Sequence, residues 1–386
     1  MKCCILFGGP SHEHDISVKS GLNVSRAALA AGHQPFPVFW GKDGTWRCAD
    51  TPIADGAALD AFMERLNFSP PRDAGALLDW CRERAVEVVF PALHGPWGED
   101  GRIQGFFQVA GLPVVGQGVL GAAISMDKLV TKAMLLDAGL PTARHVELTE
   151  ADPVAALARV QEAVGLPCVL KAPSEGSSFG VAIVSDPEKF LEEYPSILSM
   201  EGRVLAEAFF SGRELTCGVL READGSLRAL PPTEIVPRVS AYFDFNAKYD
   251  KGGSDELTPA RITPAQTVRI QDMAVRTHRA LRLGQLSRVD FLLREPDEWV
   301  ILEANALPGF TENTRAVKPP EAAPAVHRAE HSPAGQPRVN ALAARAAGPG
   351  PRATDATRTR HTHQNRPPPD RAAHAAAQAT DRANHE

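Results

Sequence analysis

At Arg315 the amino-acid sequence changes character. Residues 316–386 contain no Phe, Trp or Tyr and few large aliphatics, and they are rich in Ala, Pro, Arg, His and Thr. A segment of that kind cannot bury enough apolar surface to offset the entropy lost on ordering it. Any packed fold must therefore come from residues 1–315, and the tail is expected to be disordered. Its arginines would suit a nucleic-acid arm, but its composition reads more simply as an unstructured extension. Over the whole chain, 386 residues with 44% hydrophobic and 23% charged residues suit a soluble globular protein of two or three domains. A net charge of -6 gives no general attraction to nucleic acid or anionic membrane, so a small molecule is the expected partner. The six cysteines show no C-x-x-C pair and no disulfide or zinc spacing, and read as reduced thiols. MKCCILFGGPSHEHD meets Gly-Gly-Pro and charge too early for a signal peptide, and no later run is long enough to span a bilayer. The chain is expected in the cytoplasm.

Within residues 1–315 the pattern alternates. KCCILFGG reads as a buried strand, and the stretch from Ile16, ISVKSGLNVSRAALAAG, as a helix closed by glycine. Strands at PFPVFW, VEVVFPALHG and PVVGQG and a helix at GRIQGFFQVAG continue this to Gly118, as in a parallel sheet covered by helices. Residues 119–211 form a second, α+β domain, opened by a helix at MDKLVTKAMLLDAG and containing two strands joined by a glycine-serine loop in PCVLKAPSEGSSFGVAIVSD. Residues 212–315 supply strands at ELTCGVL, LPPTEIV, RVDFLL and WVILEAN, a helix at TPAQTVRIQDMAVRTHRALRL, and a polar loop at SAYFDFNAKYDKGGSDELTP.

Two constellations carry chemistry. SEGSSFG, Ser174 to Gly180, follows the strand bearing Lys171 but lacks both the Walker pattern and the dinucleotide fingerprint. Its backbone N–H groups suit a polyphosphate, with Lys171 as a point charge; taken alone, it serves equally well as a flexible hairpin. The strands RVDFLL and WVILEAN are more specific. Period-two alternation puts Arg288 and Asp290 on one face, and Glu303 and Asn305 on one face of the partner strand. Two carboxylates and an amide oxygen are hard ligands suited to Mg²⁺, and an adjacent arginine would neutralise charge in phosphoryl transfer. A solvent-facing salt-bridge ladder is the competing reading, disfavoured by the apolar residues between. His94 in ALHGPWGEDG and Glu13 in SHEHD carry no argument singly: one fits a capped loop histidine, the other a helix-start charge.

In chain order these pieces resemble the D-alanine–D-alanine ligases of the ATP-grasp superfamily. The motifs are FGGPSHEHDIS, ALHGPWGEDGRIQG, GQGVLGAAISMDK, LKAPSEGSSFGV, FDFNAKYDKGGSDELTPA, RVDFLL and LEANALPGFTE. The resemblance implies a three-domain ATP-grasp architecture of mixed α/β and α+β class, with a Rossmann-like parallel-sheet domain first and ATP between the other two. It implies that Lys128, Lys171, Ser178 and Lys248 contact the nucleotide, that Glu207 and Glu214 hold adenine and ribose, and that Asp290, Glu303 and Asn305 bind two Mg²⁺ or Mn²⁺ ions. Glu13 and His94 would stand near the first D-alanine, and Thr314 near the carboxylate of the second. Arg288 and the backbone of Gly309 would stabilise the tetrahedral intermediate, while Ser177, Tyr249 and Glu13 would pin the phosphate loop to the polar loop. Tyr249 further implies an amine rather than a hydroxy-acid acceptor, and the family implies a homodimer.

The pattern fails at ALPGFTENTRAV, where Arg315 stands in place of an apolar residue and no terminal helix follows. Such an onset is what a GC-rich gene yields when read out of frame, so a frameshift is expected. A chain so altered is expected either to ligate D-alanine or to persist as an ATP-binding pseudo-enzyme that cannot couple. A dinucleotide-dependent oxidoreductase, suggested by the first strand-Gly-Gly-helix, is disfavoured by the missing fingerprint.

Overall fold

The first strand explains the first sheet. Lys2–Gly8 (β1) has no polar residue after Lys2, the continuous hydrophobic run expected of a parallel strand covered on both faces. In the computed structural model, which describes residues 1–176, 179–237 and 254–307, β1 pairs in parallel with Gln34–Trp40 (β2) and with Val88–Pro91 (β4). Trp46–Cys48 (β3) adds an antiparallel edge to β2, giving the order β3-β2-β1-β4. Asp43 makes this edge by accepting from the N–H and hydroxyl of Thr45 in the turn. Alternate residues of β1 serve opposite layers. Cys4 and Leu6 pack with Ala74–Glu83 (α3) and Arg102–Val109 (α4), while Cys3, Ile5 and Phe7 pack with His14–Ala30 (α1) and Gly56–Glu64 (α2). The parallel sheet is thus as expected, except that PVVGQG supplies only a single bridge, Val114 to Val89.

Val119–Met126 (α5) leads to Lys128–Asp137 (α6), capped by the Asp127 carboxylate on the N–H groups of Leu129 and Val130. A second sheet follows from His145–Leu148 (β5), Cys168–Lys171 (β6), Val181–Val184 (β7) and Val204–Ala208 (β8), antiparallel throughout in the order β5-β8-β6-β7. Pro153–Ala163 (α7) and Pro187–Glu201 (α8) cover one face, burying Leu157, Val160, Phe190 and Tyr194 against Cys168, Leu170, Val204 and Ala206. Period two leaves Lys171 and Glu207 on the other face.

The third sheet runs β12-β11-β9-β13-β14 with β10 beside β9, formed from Arg213–Arg221 (β9), Leu227–Ala229 (β10), Thr233–Pro237 (β11), Ser254–Leu257 (β12), Leu286–Arg294 (β13) and Glu298–Asn305 (β14). Pro264–Ala280 (α9) packs on it, opened by a reciprocal capping box between Thr263 and Gln266. SDEL at the end of the expected polar loop is therefore an edge strand, where acidic side chains are tolerated. Helix α6 differs from its expected grouping: Leu135 lies in the core of the third sheet with Leu215, Ile270, Phe291 and Ile301. The first and third sheets are joined through residues 116–117. Gln117 donates to the carbonyls of Leu286 and Ala306 and accepts from the Gly284 N–H, while the Gly116 N–H donates to Gln285 Oε1 at 2.8 Å. No disulfide joins the described cysteines, and no helix among the described residues is long and apolar enough to cross a membrane.

Candidate active site

The register of β13 and β14 sets the centre of the site. Asp290 stands opposite Glu303, and Arg288 opposite Asn305. A register shift after Asp290, where the partner of Phe291 is Ile301, leaves Leu302 as an extra residue in β14. Asp290 is buried, and its two oxygens take the Arg288 guanidinium in a fork, Nε to Oδ1 at 2.9 Å and Nη2 to Oδ2 at 2.8 Å. Thr216 Oγ1 donates to Oδ1 at 2.6 Å and Asn305 Nδ2 to Oδ2 at 2.9 Å. The cluster is thus an inward, hydrogen-bonded assembly rather than a solvent-facing ladder.

Two carboxylates directly opposite one another repel across a strand pair. Here a cation can offset that cost. Asn305 donates from Nδ2 to Asp290 Oδ2 and, at 3.5 Å, to Glu303 Oε1, which leaves its amide oxygen as a third hard donor. Among the described residues no three His, Cys, Asp or Glu side chains form a ready-made cage. Mg²⁺ takes oxygen ligands and keeps water and phosphate oxygens in several positions. Asp290, Glu303 and Asn305 are oxygen donors that could hold a divalent ion, Asp290 by sharing oxygens that already accept from Arg288, Thr216 and Asn305.

Helix α6 and the second sheet bring lysines to this face. Lys128, the first residue of α6, donates from Nζ to the Glu175 carbonyl at 2.5 Å, and its backbone N–H to the Pro173 carbonyl at 3.0 Å, so it braces the glycine-serine hairpin. Burial pulls its pKa down, and Glu303 is the largest influence opposing that. Lys171 responds to the same groups. Burial would lower it, but Glu207, with Glu303 and Glu214 behind, outweighs burial and holds its pKa up. Glu207 is buried between two lysines, Lys171 at 2.5 Å and Lys132. Burial alone would raise its carboxyl; the two ammonium groups bring it to about 2. Each of its oxygens meets one of the two lysines, and its assignment to the nucleoside rests on the resemblance. Glu214 lies on β9 between β11 and β13, within electrostatic reach of Lys171.

The first sheet closes the other side. Gly8 takes φ +95°, and a Cβ there would stand 2.4 Å from the Trp40 carbonyl oxygen, so the turn after β1 requires glycine. Glu13 occupies the N-cap position of α1 without its side chain capping the helix. Its carboxylate lies instead between two glycines, since a Cβ on Gly95 would be 2.7 Å, and one on Gly176 2.6 Å, from Oε2. Glu13 therefore touches the hairpin, which a mere helix-start charge would not. His94 is buried and shares a 2.8 Å hydrogen bond from Nε2 with Ser20 Oγ of α1. Burial first, then Arg288, holds its imidazole at about 4, so it is neutral. Sequence reasoning passed over Glu99, four residues beyond Gly95. It accepts the N–H of Gly95 at 2.8 Å and of Leu307 at 3.3 Å, and burial, with Glu13 next, pushes its carboxyl up to about 8.

The structure thus gathers Glu13, His94, Lys128, Lys171, Glu207, Glu214, Arg288, Asp290, Glu303 and Asn305 around one face, and adds Lys132 and Glu99. Lys132 was detectable only as the residue one turn after Lys128; nothing in DKLVTK marks it as buried. Ser177, Ser178, Lys248, Tyr249, Gly309 and Thr314, together with the tail, lie outside the described residues.

The chain is similar to known proteins over most of its length. Family models described as D-ala D-ala ligase N-terminus and D-ala D-ala ligase C-terminus match residues 2–117 and 134–322. A D-alanine–D-alanine ligase A from Mesorhizobium japonicum is 38% identical over 320 residues, 81% of this chain and 89% of that protein. A D-alanine–D-alanine ligase from Leptospira interrogans is 36% identical over 324 residues, 81% of this chain and 91% of that one. The D-alanine–D-alanine ligase from Coxiella burnetii shares the fold at a TM-score of 0.71, with 23% identity, over 90% of this chain and 99% of that one.

Proposed function

The chain belongs to the D-alanine–D-alanine ligase family, and from that premise we propose that it joins two D-alanines at the expense of ATP. The product, D-alanyl-D-alanine, serves as a peptidoglycan precursor made in the cytoplasm. The carboxylate of the first D-alanine attacks the γ-phosphorus, ADP leaves, and an acyl phosphate forms. The amine of the second D-alanine then attacks the acyl carbon, phosphate leaves, and the nitrogen gives up a proton. The register pairing of Asp290 with Glu303 and of Arg288 with Asn305 is the observation that carries this reading.

In that reaction the protein positions groups and neutralises charge. Lys128 and Lys171 would meet phosphate oxygens, with Ser178 and Lys248 assigned to the nucleotide by their motifs and Glu214 to the nucleoside. Glu207, with Glu214, would hold the nucleoside, and through its ion pair it would also keep Lys171 charged and aimed. Two Mg²⁺ or Mn²⁺ ions at Asp290, Glu303 and Asn305 would supply charge neutralisation on the transferring phosphoryl group. Arg288 and the Gly309 backbone would face the oxyanion. Neutral His94 and Glu13 would line the first D-alanine, Thr314 the second, and Ser177 and Tyr249 would close the site. We further assign residues 1–118, 119–211 and 212–315 as three domains, and a homodimer as the working assembly.

The test mixes full-length protein with ATP, with and without D-alanine, and measures phosphate and dipeptide. Phosphate release that depends on D-alanine and is matched by dipeptide is expected. Binding of ATP with no D-alanine-dependent turnover would instead identify a pseudo-enzyme.

A further inference from the structure

The chain that leaves β6 is held at three consecutive residues, Pro173 to Glu175, from two other elements. The Lys128 N–H donates to the Pro173 carbonyl at 3.0 Å, and Lys128 Nζ to the Glu175 carbonyl at 2.5 Å. Between them the Ser174 N–H donates to Glu201 Oε1 at 2.8 Å, and Ser174 Oγ accepts from Arg203 Nη2 at 3.2 Å. Glu201 ends α8, and Arg203 stands just before β8. The same Arg203 nitrogen donates to Asp127 Oδ2 at 2.5 Å, while Asp127 Oδ1 accepts from the N–H groups of Leu129 and Val130 and so caps α6. One guanidinium thus ties the residue before Lys128 to the residue between the two points that Lys128 holds. The Lys128 ammonium is buried: burial lowers its pKa, and Glu303, Glu207 and Glu201 oppose that. Arg203 spends its own charge on protein carboxylates, with Glu147 and Glu201 each at 3.9 Å besides Asp127.

We propose that Arg203 is a positioning residue for nucleotide binding: by joining the cap of α6 to Ser174 it fixes where the Lys128 ammonium stands, without touching ATP itself. The inference rests on the ligase reading above, in which Lys128 meets a phosphate oxygen. A lysine on its long flexible stem loses side-chain freedom when it takes up a phosphate. Where both sides of its turn are already tied, much of that freedom is gone before the nucleotide arrives, and binding is tighter for it. Asp127 has two separable duties in this arrangement. Its Oδ1 caps the helix and its Oδ2 takes the guanidinium, so a change at Oδ2 alone unties Arg203 while α6 keeps its cap.

The experiment titrates ATP with Mg²⁺ into the full chain by calorimetry, and follows the melting temperature and the KM for D-alanine alongside. Arg203→Ala should weaken ATP binding by roughly 3- to 10-fold and leave the KM for D-alanine within about 2-fold of wild type. Asp127→Asn keeps an oxygen for the helix cap and should weaken ATP binding as Arg203→Ala does, with a melting temperature close to wild type. Arg203→Lys keeps a donor toward Asp127 and should bind ATP more tightly than Arg203→Ala. In a Lys128→Ala background, Arg203→Ala should change ATP affinity by less than about 2-fold, because the residue it places is gone. Wild-type ATP affinity in Arg203→Ala would make the arginine a merely structural group, and full additivity with Lys128→Ala would make it a direct phosphate contact. Either result overturns the proposal and leaves the ligase reading intact. A wild-type chain that does not bind ATP brings down both together.

Discussion

At the scale of single residues, charge balance decides what each side chain can do. Glu303 is the residue of the proposed metal-binding set whose charge acts on both Lys128 and Lys171. Glu303→Gln should keep the wild-type melt, since volume is unchanged, and lower turnover by about two orders of magnitude or more. Near-normal turnover would remove Glu303 from the metal site. Two imidazoles set a pH dependence of stability. Burial first, then Arg288, holds His94 at about 4; burial first, then Arg221, does the same for His278, whose Nε2 donates to the Gly284 carbonyl and whose Nδ1 meets Ser287 Oγ. Unfolding returns both to about 6.5, so the unfolded chain takes up protons the folded chain refuses. This stability is complete above that value and is lost as pH falls toward 4, at up to about 1.4 kcal/mol per pH unit for each histidine. Urea unfolding at neutral pH and at about pH 5 should show a smaller loss for His278→Asn than for wild type. Equal losses would mean that His278 is already protonated in the folded state.

At the scale of elements, the buried triad of Lys132, Glu207 and Lys171 joins α6 to the second sheet. Lys132 also donates to Thr142 Oγ1 at 2.7 Å. Lys132→Met leaves Glu207 with one cation and should cost about 3–5 kcal/mol. Lys132→Met with Glu207→Leu should recover most of that stability while ATP binding stays weak, because Lys171 loses its guide. A loss under about 1 kcal/mol in the single variant would show the triad to be dispensable. Elements and faces were legible where period decides: KCCILFG declared a doubly covered strand, and alternation alone placed Asp290 beside Arg288 and Glu303 beside Asn305. Contacts made by tertiary approach left no local mark. Lys132 occupies an ordinary helix position in DKLVTK, and Glu13 looks like a helix-start charge until Gly95 and Gly176 are seen against it. Leu135 groups with the third sheet only because α6 folds back on β14, which sequence order conceals.

At the scale of the whole molecule, the composition changes at Arg315, beyond which no aromatic residue and few large aliphatics remain. Deleting residues 323–386 should leave the melting temperature unchanged, since that segment offers few large apolar side chains to bury. A fall in melting temperature would mean that the tail contributes to the folded state. That a frameshift produced the tail is a hypothesis resting on its abrupt Ala, Arg, Pro and His composition. Sequencing the gene across the Thr314 codon tests it, and a confirmed frame sinks it. The joints between sheets are unequal. Gln117 and Gly116 weld the first sheet to the third through main-chain groups, and Pro141 and Thr142 are pinned to Ile301 of β14. The second sheet, residues 145–208, enters and leaves through two short tethers beside that rigid frame. It is braced against that frame by the buried Lys132–Glu207 pair and by Arg203 on Asp127, so it cannot tilt without loading α6, which packs on the strand pair that carries Asp290 and Glu303. Removing that brace with Lys132→Met should quicken amide exchange along residues 142–145 and 208–213 and leave Gly116 and Gly284 slow; unchanged exchange at the tethers would show that the brace carries no load.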